Sequence, residues 1–255
     1  IALVEDAGGG VRDPQVSYDG KTILFSYRKG GSCNYNLYEI GVDGSGLRQL
    51  TDGPFDDIEP TYLPDGGIMF VSSRCKRWVN CWLTKVAVLY RCDADGTNIR
   101  QVSGNIEHDN TPWPLADGRI LYQRWEYVDR SQVHYHHLWA MNPDGTGQMP
   151  YYGNLNPGIL MIDAKPIPGT DSIVSLFSPG HGQREHAGQM AIVNPKLGPD
   201  APEAVRFLND AKDFRDPYPL SAEHFLVADK TGLHVLTAAG QVETLFRPEP
   251  PGGRW

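Results

Sequence analysis

Three groups of side chains in this chain have the types and spacing to do chemistry. In Gly180-His181-Gly182-Gln183-Arg184-Glu185-His186 two imidazoles bracket an amide and a carboxylate on a glycine-rich run. His181, Gln183 and His186 are candidate ligands for a divalent metal (Mn, Ca or Zn), because imidazole nitrogens and side-chain oxygens suit such ions. The same run also reads as a solvated loop in which Arg184 and Glu185 pair. A second group is Arg124-Trp125-Glu126-Tyr127-Val128-Asp129-Arg130 followed by His134-Tyr135-His136-His137. Arg124 and His136 are its catalytic candidates, a guanidinium for an anion and an imidazole as general base near neutral pH. Strand alternation would point His134 and His136 one way and Tyr135 and His137 the other, and ordinary packing is the competing account. The third group is a series of carboxylates, Asp13, Asp57, Asp109, Asp163 and Asp216, with His108 beside Asp109 and with Arg28, Arg74 and Arg124 following at similar intervals. Either a channel cation or the backbone of a neighbouring element would satisfy these carboxylates; the arginines would pair with them.

The elements that position these groups are set by a repeat. Asp13-Pro14 to Arg28, Glu59-Pro60 to Arg74 and Thr111-Pro112 to Arg124 match position by position, each a strand, an Asp-Gly turn and a second strand. Weaker copies start at Lys165-Pro166 and Asp216-Pro217, so that the prolines 14, 60, 112, 166 and 217 are 46, 52, 54 and 51 residues apart. Asp43-Gly44, Asp95-Gly96 and Asp144-Gly145 mark a second hairpin in the first three periods, because Asp and Gly accept the positive φ of tight turns. Asp93 to Asn98 has the beginning of a calcium loop without its distal Glu, and as one of this repeated set it reads as a hairpin turn.

A four-stranded meander at this period describes a β-propeller blade. The fold class is therefore all-β, with antiparallel four-stranded blades over residues 11–52, 57–103, 109–153, 163–208 and 214–247. Residues 1–6 read as a strand of a preceding blade, which makes six the expected number in the intact domain. The chain starts without Met and ends on Pro-Gly-Gly-Arg-Trp, and is expected to be a fragment of a larger protein.

Composition narrows the classes. A net charge of −8 over 255 residues argues against an extended nucleic-acid footprint, which requires a basic face. No apolar run approaches the roughly 18 residues of a membrane span. Cys75 and Cys81 either close a small disulfide or stay reduced, and the absence of Cys-x-x-Cys-His excludes covalent c-type haem in this chain. No Gly-x-Ser-x-Gly marks a serine hydrolase. Propeller topology puts the Asp-Gly hairpins on one face. The carboxylates and the long loops 28–34, 74–84, 124–134 and 178–188 fall on the other, which is the face expected to hold function.

The x-Pro-x-x-x-x-Asp-Gly-x-Ile-x-Phe/Tyr hairpin, with the Asp-Gly-Thr turns at Asp93 to Asn98 and Asn142 to Gly147, resembles the TolB-type propeller repeat. Further runs, Gly46-Leu47-Arg48-Gln49-Leu50-Thr51, Phe55-Asp56-Asp57-Ile58-Glu59-Pro60, Ser72-Ser73-Arg74-Cys75, Arg119 to Glu126 and Ser178-Pro179-Gly180-His181-Gly182, resemble the middle propeller domain of hydrazine synthase alpha subunits and their relatives. That resemblance implies a rigid propeller in a larger exported, periplasmic bacterial protein, presenting its loop face to flanking domains or another subunit. Oligogalacturonate lyases are also similar, and imply a divalent metal on His and Gln ligands and β-elimination of a uronate from an acidic carbohydrate. Gln183-Arg184-Glu185-His186 matches the Gln-x-x-His part of that pattern, and Gly188 stands where the pattern has its second His. The two expectations are thus a binding scaffold and a metal-dependent lyase.

Overall fold

Short β-branched and aromatic runs separated by Asp-Gly turns favour strands. The computed structural model describes residues 3–127, 129–130, 134–180 and 186–248, and among them holds twenty strands and three single-turn 3-10 helices. Strands β1 (Gly10–Val16), β2 (Thr22–Arg28), β3 (Asn36–Gly41) and β4 (Arg48–Gln49) form an antiparallel meander, as do β5 (Asp57–Tyr62), β6 (Ile68–Ser72), β7 (Val88–Cys92) and β8 (Arg100–Gln101). The next strands are β9 (Asp109–Pro114), β10 (Ile120–Trp125), β11 (Tyr135–Met141), β12 (Met149–Tyr152), β13 (Ile159–Pro166), β14 (Ile173–Ser178), β15 (Gln189–Val193) and β16 (Val205–Phe207). The last four, β17 (Arg215–Pro219), β18 (His224–Asp229), β19 (Gly232–Thr237) and β20 (Val242–Phe246), form another antiparallel meander.

Two compact units emerge: Ile1–Pro114 with Gly118–Ile120 and Met141–Gly147, and Leu121–Ala140 with Leu115–Asp117 and Gln148–Trp255. In the first, β9 lies against β5, β6 and β7. Phe25, Tyr27, Tyr38 and Ile40 form a cluster there, covered by Leu3, Val4 and Ile23. Residues 3–6 are not in a strand, and the remainder of the extra strand expected over residues 1–6 lies outside the described residues. In the second unit the strand order runs β16-β15-β14-β13-β11-β10, with β12 also on β11. Its cores gather Leu121, Leu138, Tyr152 and Met161 on one side, and Leu160, Val174, Phe225 and Leu236 on the other.

One junction recurs. The start of each third strand hands a main-chain bond to the first strand of the following repeat: the amides of Asp57 and Asp109 donate to Tyr35 O at 2.8 Å and Ala87 O at 3.0 Å. In the second unit Gly188 bridges Phe214, and Tyr135 and His136 pair in parallel with Ile159 and Leu160. That parallel step fuses β11 and β13 into one mixed sheet, a departure from the purely antiparallel expectation.

The carboxylate series also differs from its sequence reading. The aspartates lie within the first strands, and they fall into two sets. Asp13, Asp163 and Asp216 occupy a β-bulge with φ of 55°, 54° and 46°, a position held by Glu59 (52°) and Thr111 (49°) in the other repeats. Asp57 and Asp109 stand two residues earlier and are wholly buried. In the fourth repeat the residue after the bulge is Ala164, so Pro166 is not the counterpart of Pro14.

Candidate functional site

In the first unit the bulge carboxylates hold backbone. Asp13 Oδ2 accepts the Glu59 amide at 3.0 Å and the Arg12 Nε–H at 2.7 Å, and Glu59 Oε2 accepts the Thr111 amide at 2.6 Å. Each bulge thereby satisfies the amide that the next bulge exposes. Buried Asp57 takes a two-pronged bond from Arg74, Nε to Oδ1 at 3.1 Å and Nη2 to Oδ2 at 2.6 Å, and a third bond from Ser72 Oγ at 2.6 Å. Arg74 sits not at the end of a strand but in the 3-10 turn Ser73–Cys75, capped by Ser72. Asp109 accepts from Ser103 and Asn105. Arg28 donates to Ser32 O at 3.4 Å and lies over the Tyr35 ring. His108 Nδ1 accepts the Ala87 amide at 3.1 Å, and burial holds its pKa below the ordinary range, so the imidazole is neutral. The pairing of arginine with series carboxylate is thus seen at Asp57 and Arg74.

The second unit gathers the catalytic candidates. Arg124 is buried over Trp139, 4.7 Å from the ring centroid, and donates to Gln148 Oε1 at 2.9 Å. His136 stacks on Trp125 at 5.1 Å and 16°, and Trp125 stacks in turn with Tyr127. The alternation expected along this strand is present: Tyr135 and His137 meet edge to face at 5.6 Å while His136 faces Trp125, and His137 is buried as well. Burial lowers the His137 pKa to about 4. Around the rim, Arg130 lies 4.4 Å over Tyr135 and donates to Glu126 at 3.3 Å and to Asn154 O at 2.8 Å. Burial raises the Glu126 pKa, with Arg130 and Arg124 opposing. A half-buried carboxyl whose pKa is raised by burial, beside two guanidiniums and an aromatic stack, is an arrangement suited to binding an anionic ring compound.

His181 and Gln183 lie outside the described residues, and His186 is exposed. Among the described residues no three His, Cys, Asp or Glu side chains stand close enough to share a metal ion. Asp163 is half-buried and Asp216 exposed at their bulges.

Comparison with known proteins fixes the architecture. No family model matches the chain. Hydrazine synthase subunit alpha of Kuenenia stuttgartiensis is 26% identical over 280 residues, which cover 85% of this chain and 34% of that subunit. The structure of that organism's hydrazine synthase matches with a TM-score of 0.81 at 22% identity, over 94% of this chain and 39% of its own. A putative TolB from Agrobacterium tumefaciens matches at 0.67, with 17% identity over 93% and 80% of the two chains. The chain carries TolB-type propeller repeats. An oligogalacturonate lyase from Vibrio parahaemolyticus shares this propeller fold at a TM-score of 0.61 and 12% identity, over 98% of this chain and 68% of the lyase. Within the repeat, Arg124 lies at the end of the second strand, and Glu126 and Arg130 belong to the connection between the second and third strands, the segment that varies most in length from repeat to repeat.

Sequence reasoning did not single out Glu126, Arg130, Asn154 or Gln148. Their signal lay in the Arg-Trp-Glu-Tyr run itself, but Asn154 and Gln148 come from beyond β11, and only the pairing of β11 with β12 and β13 brings them in.

Proposed function

We propose that this propeller is a binding domain of a larger exported bacterial protein, which presents the recess of Arg124, Glu126, Arg130 and His136 to an anionic ligand or to an acidic group on a flanking domain or subunit. The observation that carries this reading is the Glu126, Arg130 and Asn154 network beside the Trp125 and His136 stack. The Arg124 and Arg130 guanidiniums both act on the Glu126 carboxyl there. Similarity to hydrazine synthase subunit alpha, of which this chain spans 34%, supports a part within a larger assembly. Calorimetric titration with trigalacturonate, a carboxylated probe, tests the recess. Saturable binding that weakens with salt and falls about tenfold in Arg130→Ala supports the reading; binding that ignores Arg130 removes it.

The fold shared with an oligogalacturonate lyase supports a second reading, a uronate lyase in which His181, Gln183 and His186 would hold a metal that would supply acidification of the proton alpha to a carboxylate. Elemental analysis of the dialysed chain and of His181→Ala/His186→Ala tests it. Stoichiometric Mn, Ca or Zn lost in the variant is the expected result, and an equal metal content in both proteins rejects this ligand set.

A further inference from the structure

The connection between β6 and β7 carries a feature that the recess does not use. From Arg74 to Lys85 the sequence is Arg-Cys-Lys-Arg-Trp-Val-Asn-Cys-Trp-Leu-Thr-Lys, with four basic residues and no acidic one, inside a chain of net charge −8. The segment is built as a miniature hairpin. Trp78 and Lys85 form an antiparallel bridge, the Val79 amide donates to Thr84 O at 3.0 Å, and the Val86 amide donates to Arg77 O at 2.8 Å. Its base is fastened to the body of the first unit by the buried Val79 side chain, by the Asn80 amide on Glu107 Oε1 at 3.2 Å, and by Cys75 Sγ on Val86 O. A fixed base holds the tip in a fixed place.

At that tip Trp82 is 76% and Leu83 88% exposed, and Trp78 beside them is 58% exposed. Lys76 and Lys85 are exposed behind the tip, whereas Arg74 is committed to Asp57 and the Arg77 guanidinium donates to Asn105 O. An exposed Trp-Leu pair projecting beyond a collar of cations matches the cross-section of a bilayer interface. Apolar and indole groups enter the acyl boundary there, while ammonium groups stay among the phosphates. A two-residue apolar tip is small against the roughly 800 Å² per partner of a standard protein interface. Leu83, the more exposed of the pair, offers nothing to a sugar hydroxyl. The absence of any carboxylate from the segment selects an anionic surface over a neutral one.

We propose that the 74–85 hairpin is a membrane-surface anchor that inserts Trp82 and Leu83 into the interface of an anionic phospholipid bilayer, with Lys76 and Lys85 on the lipid phosphates. The test uses the whole chain with vesicles of phosphatidylcholine, with and without phosphatidylglycerol, read by co-flotation and by tryptophan emission. Trp82→Ser/Leu83→Ser and Lys76→Gln/Lys85→Gln are the variants, each first shown to keep the wild-type circular dichroism and melting temperature. The expected result is binding to phosphatidylglycerol vesicles with a blue-shifted emission, weakened by salt, and at least about tenfold weaker in either variant. Absence of binding at low salt overturns the proposal, as does binding that the Ser variants retain in full. Self-association, or capture by an acidic protein, that is lost in the Ser variants while vesicles stay unbound would make the tip a protein contact and also overturn it.

Discussion

At the scale of single residues, burial decides which titratable groups matter. His137 is fully buried, its ring nitrogens have no hydrogen-bond partner in good geometry, and its pKa is lowered to about 4 by desolvation. A depressed histidine contributes stability that is present above its ordinary value near 6.5 and lost as pH falls through about 4. The unfolding free energy should therefore drop by about 3 kcal/mol over that window, and His137→Leu should flatten the drop in a urea series taken at each pH. An unchanged slope in the variant would refute the assignment. Glu126 acts in the opposite sense: its raised pKa gives stability below the ordinary carboxylate range that fades as pH rises. Asp57 and Arg74 are a different case, a charge pair buried on the carboxylate side with 17% exposure of the arginine side chain. Removing Arg74 strands a carboxylate that water cannot reach, so Arg74→Ala should cost about 3–5 kcal/mol by denaturant titration. A cost under about 1 kcal/mol would mean that the site rehydrates. The sequence named Asp57 and Asp216 as members of one series, but Asp57 opens β5 two residues before the bulge and is buried, while Asp216 occupies the bulge of its own strand and is exposed.

At the scale of elements, the turns were legible and the registers were not. Every Asp-Gly pair named from the sequence turns as expected, since the local chemistry of Asp and Gly suffices to set it. The bulge is not written locally: it needs a partner strand, so the proline alignment slid by two residues in the fourth repeat, where Ala164 follows the bulge. The alternation through Tyr135, His136 and His137 was legible, since it needs only a strand, but the covering of both faces of β11 was not, because it depends on what packs over them. Two glycines separate local from packing demands. Gly96 and Gly118 share φ near +86°, but a Cβ on Gly96 would overlap the Leu50 carbonyl oxygen, whereas one on Gly118 would meet nothing within 4 Å. Gly118→Ala should cost only the left-handed backbone term of about 1–2 kcal/mol. Gly96→Ala should cost clearly more, because the turn must also withdraw from β4 and the strand end behind it. Equal losses of melting temperature in the two variants would show that the Leu50 contact yields freely.

At the scale of the whole molecule, a repeat is readable in sequence because every copy solves the same burial problem, whereas function departs from the repeat and each departure stands alone. The second strands of the three middle repeats are covered on both faces, β6, β10 and β14 being buried at every position. The fourth strand has no such demand, and β4, β8 and β20 are exposed throughout. Opening a second strand means separating both of its faces from their packing at once, while an outer strand can fray by releasing a single ladder. Amide hydrogen exchange should accordingly rank the strands, with the slowest amides in β6, β10 and β14 and the fastest in β4, β8 and β20. The same measurement separates architecture from chemistry. If Arg130→Ala weakens ligand binding and leaves that ranking untouched, the recess is an addition carried on the fold. If exchange in β10 and β11 rises with the same substitution, the Glu126, Arg130 and Asn154 network is part of what holds those strands, and a binding role for it would need support beyond the loss of affinity.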